Sequence, residues 1–584
     1  MKKVYVFIQI SILTGIVSLF GLGFSGLNES GNNDLASIIR NRSNRSEISK
    51  IIADNEKQNR FESINLFSFK ETKDNKLNLN NFLNHAVLLE LNQKQLKNIL
   101  RDRKDNIELL IPVSESKSID LMLTRVSLLN KDFSIVSKSD NQVNSERVDE
   151  GLHYRGIIKG DDNSWAAVSF FDDFVMGLTA SVKGNYVLGS VKNKNNEYTS
   201  NYVFYNDRDI LKKMNFKCGD GEMEDDFVRN YKPASVTENN TGDYSSVDTV
   251  GIYFETDYQM YEDNNENVNQ LANYVMGIFN QVAAIYQNEQ LPIKISQIGY
   301  WNHTDPYAND TDSYTILQRF GYNQKDDFEG DLAHLLSTGH NQELGGIAWI
   351  NILCTPYNEN DYSGRYAFSN IEDNYNPYPV YSWTVTVVAH EMGHNFGSYH
   401  THACHWHIPP SGIGALDSCY YAEGNCYLLP HANYNGSIMS YCHLNGAINL
   451  ANGFGRPFNS YWSQPGDTIR TWYSRASCLH YETNSSEQPV TYNLLQNYPN
   501  PFNPSTHIKY ALPEGGFVTL TLYDVTGREV AQLINNKFFS TGIYSYLLDA
   551  NTYRMSSGVY LYKLSVVRDG KNTYSEIKKM VLIK

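Results

Sequence analysis

The sequence has no excess of positive charge. Its 49 Lys and Arg stand against 64 Asp and Glu, a formal net charge of -15 over 584 residues. No net basic field exists to neutralise a run of phosphates, so nucleic acid is not expected as the main partner. Long apolar runs are absent beyond the first two dozen residues, so no later stretch is a candidate to span a bilayer. No calcium-loop pattern occurs, and a calcium ion finds no support in the sequence. Cysteine is scarce, at seven. What is present fits globular domains: 41% of residues are hydrophobic, and the length exceeds what one core can hold. Asparagine-rich runs such as Asp263 to Asn267 read as solvated loops.

The chain opens with Lys2 and Lys3, then an apolar stretch from Val4 to Phe24 broken by Gln9, Ser11 and Gly15. Gly23 and Ser25 suit a cut after Ser25, so residues 1–25 are expected to be a signal peptide. The competing reading is an uncleaved anchor. Small residues end the run and no basic stop-transfer cluster follows, which favours cleavage and no lasting membrane anchor. Six cysteines, Cys354, Cys404, Cys419, Cys426, Cys442 and Cys478, lie in one segment and read as disulfides of an exported domain. Cys218 is the odd one.

Residues 26–240 show mixed signals. His85 to Leu100 reads as helical, and Trp165 to Val168, Val175 to Leu178 and Tyr186 to Val191 as strands. No metal-type or nucleophile-type cluster occurs there. From Val247 the pattern changes. Val250, Ile252 and Phe254 alternate as a half-buried strand. Val268, Leu271, Val275, Ile278, Val282 and Ile285 then form one face of an amphipathic helix. Ile293 to Trp301 reads as a strand, Asp331 to Leu336 as a short helix and Ile347 to Leu353 as a buried strand, which together imply an α/β layer. A polar linker is expected at 481–493. Beyond it, residues 494–584 carry alternating strands at Val518 to Leu522, Tyr544 to Leu548 and Val559 to Val567, with no helical period, and an all-β sandwich is expected.

The chemistry concentrates in His390-Glu391-Met392-Gly393-His394-Asn395-Phe396-Gly397-Ser398-Tyr399-His400. Four-residue spacing puts His390 and His394 on one helix face, one turn apart, able to share an ion. Gly397 ends the helix where a turn is needed, and the reversal brings His400 in as a third ligand. Three neutral imidazoles leave a fourth zinc position for water. Glu391 points to the same side and can act as general base in peptide hydrolysis. One catalytic Zn2+ is the expected cofactor. A surface helix with incidental histidines does not account for the full pattern in an exported chain.

With these residues in place, the segment resembles a metzincin, and the reprolysin/adamalysin (ADAM-like) group within it. Val250 to Trp301, Asp331 to Leu336 and Gly345 to Ala348 are similar to that family's strands and edge region. Ser437-Ile438-Met439-Ser440 resembles its Met-turn, which implies an apolar floor at Met439. Two departures stand out. Thr401 occupies the position where reprolysins carry Asp, and Tyr441 after the Met-turn is more like serralysins and astacins, where such a tyrosine helps stabilise the transition state. A plain core tyrosine is an equal alternative. His402, His405 and His407 read as surface or loop residues. The resemblance implies pairing of Cys354 with Cys478, Cys404 with Cys442 and Cys419 with Cys426, one of fifteen arrangements. The wall of the specificity pocket is expected in His443 to Gly455. His153 to Gly156 and Ser164 to Ser169 resemble a reprolysin propeptide, which makes Cys218 a cysteine switch whose thiolate fills the open zinc position. Arg229 and Lys232 are candidate processing points.

Asn497-Tyr498-Pro499-Asn500-Pro501-Phe502-Asn503-Pro504, Tyr523 to Arg528, Ser557 to Tyr560 and Lys578 to Lys584 resemble a type IX secretion sorting domain. That implies export through the periplasm of a Gram-negative bacterium, by the type IX machinery, to the outer surface or the medium. The expected fold is therefore multidomain: signal peptide (1–25), β-rich propeptide (26–240), α/β metzincin catalytic domain with a twisted mixed sheet and active-site helix (241–480), linker (481–493) and all-β sandwich sorting domain (494–584). The expected function is a secreted zinc endopeptidase acting on proteins or peptides, silenced by Cys218. The alternatives are a pappalysin-like or serralysin-like metzincin, and a surface adhesin on a degenerate protease scaffold. Intact Glu391 and three ligands argue against decay.

Overall fold

A computed structural model describes most of residues 46–211, 249–479 and 491–582. The expected signal peptide, Cys218, Arg229, Lys232 and most of the 481–493 linker lie outside the described residues. Among those described, no helix is long and apolar enough to cross a membrane.

The N-terminal region is built on a ten-stranded sheet drawn from residues 62 to 206. His85 to Leu100 is not one helix. It is a strand, Val87–Leu91, followed by the helix Gln93–Asp102, whose N-cap Asn92 accepts from Gln95 N. The apolar run pairs with both Asn201–Asn206 and Phe67–Lys70, and those tertiary partners override its local propensity. Along the strands, side chains alternate between two cores. Ala166, Val168 and Phe170 join Leu89, Leu96 and Ile107 on one face. Trp165, Ala167 and Phe171 join Met176 and Leu178 on the other, against the next region.

That next region holds a seven-stranded sheet ordered Gly346–Ala348, Tyr366–Asn370, Leu332–Ser337, Val250–Thr256, Ile293–Tyr300, Leu129–Ser137, Gln142–Val143. The four central strands run parallel, and Gly346–Ala348 is an antiparallel edge. Val250–Thr256 is buried on both faces rather than half-buried, because helices cover both sides. Val250, Ile252 and Phe254 face the long helix Val268–Asn288, and Tyr253 faces the helix Ser313–Gln324. The expected helix at Asp331 to Leu336 is a central strand, Leu332–Ser337. A six-residue apolar run buried on both faces has no period that separates helix from strand. The expected strand at Ile347 to Leu353 shrinks to Gly346–Ala348, after which the chain turns.

The C-terminal residues form two antiparallel sheets, of three and four strands, around one core of Leu494, Ile508, Tyr510, Leu520, Leu522, Tyr562, Leu564 and Met580. The Asp524 to Arg528 motif is a self-contained turn. Asp524 Oδ1 accepts from Thr526 N and Arg528 N, and Arg528 Nε lies 3.0 Å from Asp524 Oδ2.

Candidate metal centre

The helix Tyr381–Asn395 carries His390, Glu391 and His394, and is buried along almost its whole length. Its end is fixed by a paired set of backbone bonds. Ser398 N donates to Gly393 O at 3.0 Å and Gly397 N to His394 O at 2.7 Å, the two bonds of a Schellman motif. Gly397 sits at φ +96°, and a Cβ there would lie 2.4 Å from Trp472 Cδ1. Glycine is therefore required twice, for the turn and for the close approach of the helix Gln464–Arg475.

The turn delivers His400. The Nε2 atoms of His390, His394 and His400 lie 3.1, 3.1 and 3.2 Å apart. Each Nδ1 meets an acceptor: Ile438 O at 2.7 Å for His390, Ser398 O at 2.8 Å for His394, and Glu423 Oε1 at 2.7 Å for His400. An imidazole that donates from Nδ1 carries a bare lone pair on Nε2. With all three Nδ1 atoms donating, three such lone pairs converge in a buried site. Burial, and then the neighbouring His394 and His400, hold His390 well below its ordinary pKa, so it stays neutral. Donors about 2.0–2.1 Å from a tetrahedral ion stand roughly 3.3–3.4 Å apart, close to the observed spacing. The residues present fit a single small cation.

Glu391 is fully buried, between His390 and His394 in the helix sequence. Its carboxylate lies against Gly346 of the edge strand, where a Cβ would come within 2.3 Å of Oε1. The absence of a side chain at 346 makes room for it. Met439 is buried beneath the helix, its sulfur 2.6 Å from where a Cβ on Gly393 would stand. Neighbouring Ile438 supplies the carbonyl that orients His390. Tyr441 is buried with its ring centroid 4.9 Å from that of His400 and 6.3 Å from that of His390.

Three expectations need correction. Cys354 does pair with Cys478, but the other bridges are Cys404 with Cys426 and Cys419 with Cys442. The two loops interleave because residues 402–404 run alongside Glu423. Glu423 N donates to His402 O and Cys404 N to Glu423 O, which brings Cys426 up to Cys404. His402 is not a surface residue. It is fully buried, stacked on His400 with ring planes 5° apart, its Nε2 2.7 Å from Glu423 Oε1. Glu423 itself was missed. Burial pushes its carboxyl up, but His400 and His402 beside it outweigh that and hold it ionised, well below the usual carboxylate range. No motif spacing marks it, since it lies 23 residues beyond His400. Thr401, which departs from the reprolysin pattern, bonds Asp417 and Met439 O, tying the loop after His400 to the Met439 segment. His407 is exposed, as expected, on the short strand Trp406–Ile408.

Residues 246–447 match the family model Reprolysin 5, described as metallo-peptidase family M12. This segment is similar to metallo-peptidase family M12. Residues 496–583 match the secretion system C-terminal sorting domain. Within the matched segment lie His390, His394 and His400, which could hold a metal ion. The tail marks export to the cell surface or beyond in Bacteroidetes. Among solved structures, the chain is similar to dimeric latent PorU from Porphyromonas gingivalis, at 24% identity and TM-score 0.14, over 16% of this chain and 9% of that one. It is also similar to a chain titled as a chaperone-substrate complex, at 14% identity and TM-score 0.22, over 39% and 36%. A third likeness is to catalytically inactive OgpA from Akkermansia muciniphila in complex with an O-glycopeptide, at 10% identity and TM-score 0.19, over 60% and 97%. The chain thus spans 9% and 36% of the first two, and these TM-scores establish no common fold.

Proposed function

We propose that the chain is a secreted zinc-dependent endopeptidase of the metzincin type, made as a zymogen. The observation that carries this reading is the convergence of three imidazoles, each with its Nδ1 within hydrogen-bond distance of an acceptor and its Nε2 facing the other two. His390, His394 and His400 would hold one Zn2+, which supplies Lewis acidity toward a water and a peptide carbonyl. Glu391 accepts the proton of the attacking water and returns it to the leaving amine as the C–N bond breaks. The closeness of its carboxylate to edge strand Gly346–Ala348 supports an extended peptide lying along that edge, held by backbone hydrogen bonds. Met439 forms the floor of the site. Tyr441, in ring contact with His390 and His400, is proposed to stabilise charge on the carbonyl oxygen.

On this reading residues 1–25 are a signal peptide, 26–240 a propeptide with Cys218 as its silencing thiolate, 241–480 the catalytic domain and 494–584 the sorting domain. The test is to purify chain matured past Cys218 and measure zinc content and casein cleavage with and without chelator. One zinc per chain, and cleavage abolished by chelator and by Glu391→Ala, are expected. Zinc-free protein, or cleavage indifferent to both, would sink the protease reading. For the switch, Cys218→Ala should render the precursor active, and an equally silent mutant precursor refutes it.

A further inference from the structure

The N-terminal region does not merely abut the M12 segment. Strand Leu129–Ser137 lies in the seven-stranded sheet itself, parallel to Ile293–Tyr300, with Ile135 opposite Ile298 and Ser137 opposite Tyr300. Without it, Ile293–Tyr300 would be an open edge, its backbone donors and acceptors unpaired. Lys138 N continues the ladder to Tyr300 O.

A second contact falls on the long helix Val268–Asn288. Leu271, Val275, Ile278, Val282 and Ile285 share a core with the M12 sheet. The face toward the N-terminal region carries Asn269, Gly277, Asn280 and Gln287, spaced as one helical stripe. Asn269 Oδ1 accepts from Asp149 N. Asn280 accepts from buried Arg155 and donates toward Tyr154 O and Val168 O, and Gln287 accepts from Arg155 Nη1. Opposite this stripe lie buried Arg155 and the apolar Trp165, Phe171, Met176, Leu178 and Val187, which share one core with Met276 and Ala284 of the helix. Separation would bare apolar surface on both sides.

A third contact grips the residues after the Met-turn. Trp165 Nε1 donates to Leu450 O, Leu450 N to Asn185 Oδ1, Asn185 Nδ2 to Ile448 O and Asn449 Nδ2 to Ser181 O. The N-terminal region also has a separate core of its own on the far face of its sheet.

We propose that residues 46–211 form a separable partner that stays docked on the M12 unit after the chain is cut between Leu211 and Thr249, held by strand addition at the Ile293–Tyr300 edge. The inference builds on the reading of the N-terminal region as a propeptide. It adds that cleavage alone does not release that region, and that while docked it fixes the Ile448 to Ala451 wall in the form seen here.

The test uses the full chain with a recognition sequence for a sequence-specific protease replacing residues 229–232. After complete cutting, the two fragments should co-elute on gel filtration at the volume of the uncut protein, at micromolar concentration. The Ile293–Tyr300 amides should stay protected from hydrogen exchange. Fragments that separate overturn the proposal. Gly277→Leu adds bulk where a Cβ would already lie 2.5 Å from Met176 Sδ. It improves helix propensity and faces away from the M12 core. Binding of its cut fragments should weaken at least tenfold, and Met176→Ala added to it should restore co-elution by making room. Co-elution of the cut single variant at wild-type strength refutes the helix contact. Should Gly277→Leu not fold, the wild-type result decides alone. Elution and exchange need neither zinc nor catalysis, so an inactive but docked complex counts against the proposed activity and not against docking.

Discussion

Glu423 is the residue whose replacement most directly tests how the site is organised. Its Oε1 accepts from His400 Nδ1 at 2.7 Å and lies 2.7 Å from His402 Nε2. His400 is 1% exposed, so water cannot take over the bond. Glu423→Ala removes both the tautomer lock and the acceptor. Loss of such an orienting partner lowers metal affinity about 10- to 100-fold, or roughly 1.4–2.7 kcal/mol. Leaving the buried Nδ1–H without an acceptor costs about 1–3 kcal/mol of fold stability besides. Glu423→Gln keeps an amide oxygen where the carboxylate was and should fall between wild type and Ala in both measures. The assay is zinc competition against a chelator of known affinity, paired with thermal unfolding of the metal-free proteins to separate site loss from fold loss. Wild-type zinc affinity in both variants would refute the orienting role, and the geometry at His400 would then be set by the disulfide-tied backbone alone.

Three further outcomes are expected. Gly397→Ala places a side chain at φ +96° and against Trp472, so it should lose at least about 1–2 kcal/mol and shift Ser398 O from His394, read as a fall in melting temperature together with weaker zinc binding. Unchanged melting would show that the helix end is not constrained as described. Arg470 pairs with Glu289, which is only 1% exposed at the end of the long helix, so Arg470→Met should destabilise by about 3–5 kcal/mol in urea unfolding. A loss below about 1 kcal/mol would make the pair a surface one in effect. Burial raises the Asp257 carboxyl to about 7, against hydrogen bonds from Ser337, Met260 N and Gly339 N that lower it. An acid with a raised folded-state pKa favours folding most when protonated. Its contribution is full below about pH 4, the unfolded value, and is lost as pH rises through about 7. Asp257→Asn keeps the cap acceptor for Met260 N but loses the oxygen that accepts from Ser337 and Gly339 N, so the variant starts less stable at low pH and should lose less stability than wild type as pH rises from about 4 to 7. Parallel stability curves would exclude this role for Asp257.

The spacing of His390, His394 and His400 was enough to place three imidazoles about one point, because helix periodicity and a glycine turn are local rules. The strands of the C-terminal sandwich were likewise legible from alternation, and the long helix from its apolar stripe. Other features were settled only at a distance in sequence. Leu332–Ser337 is a strand because it has parallel neighbours on both sides, which its six residues do not announce. The cysteine pairing follows from the alignment of residues 402–404 with Glu423, and that same alignment brings a carboxylate to His400. Strand Leu129–Ser137 pairs with Ile293–Tyr300, more than 150 residues further along the chain. The sequence determined which groups meet at the candidate centre, since their identities and spacing are fixed residue by residue. Tertiary structure decided what holds them in place, because a buried donor or an open sheet edge takes its partner from whatever the folded chain brings within hydrogen-bond reach.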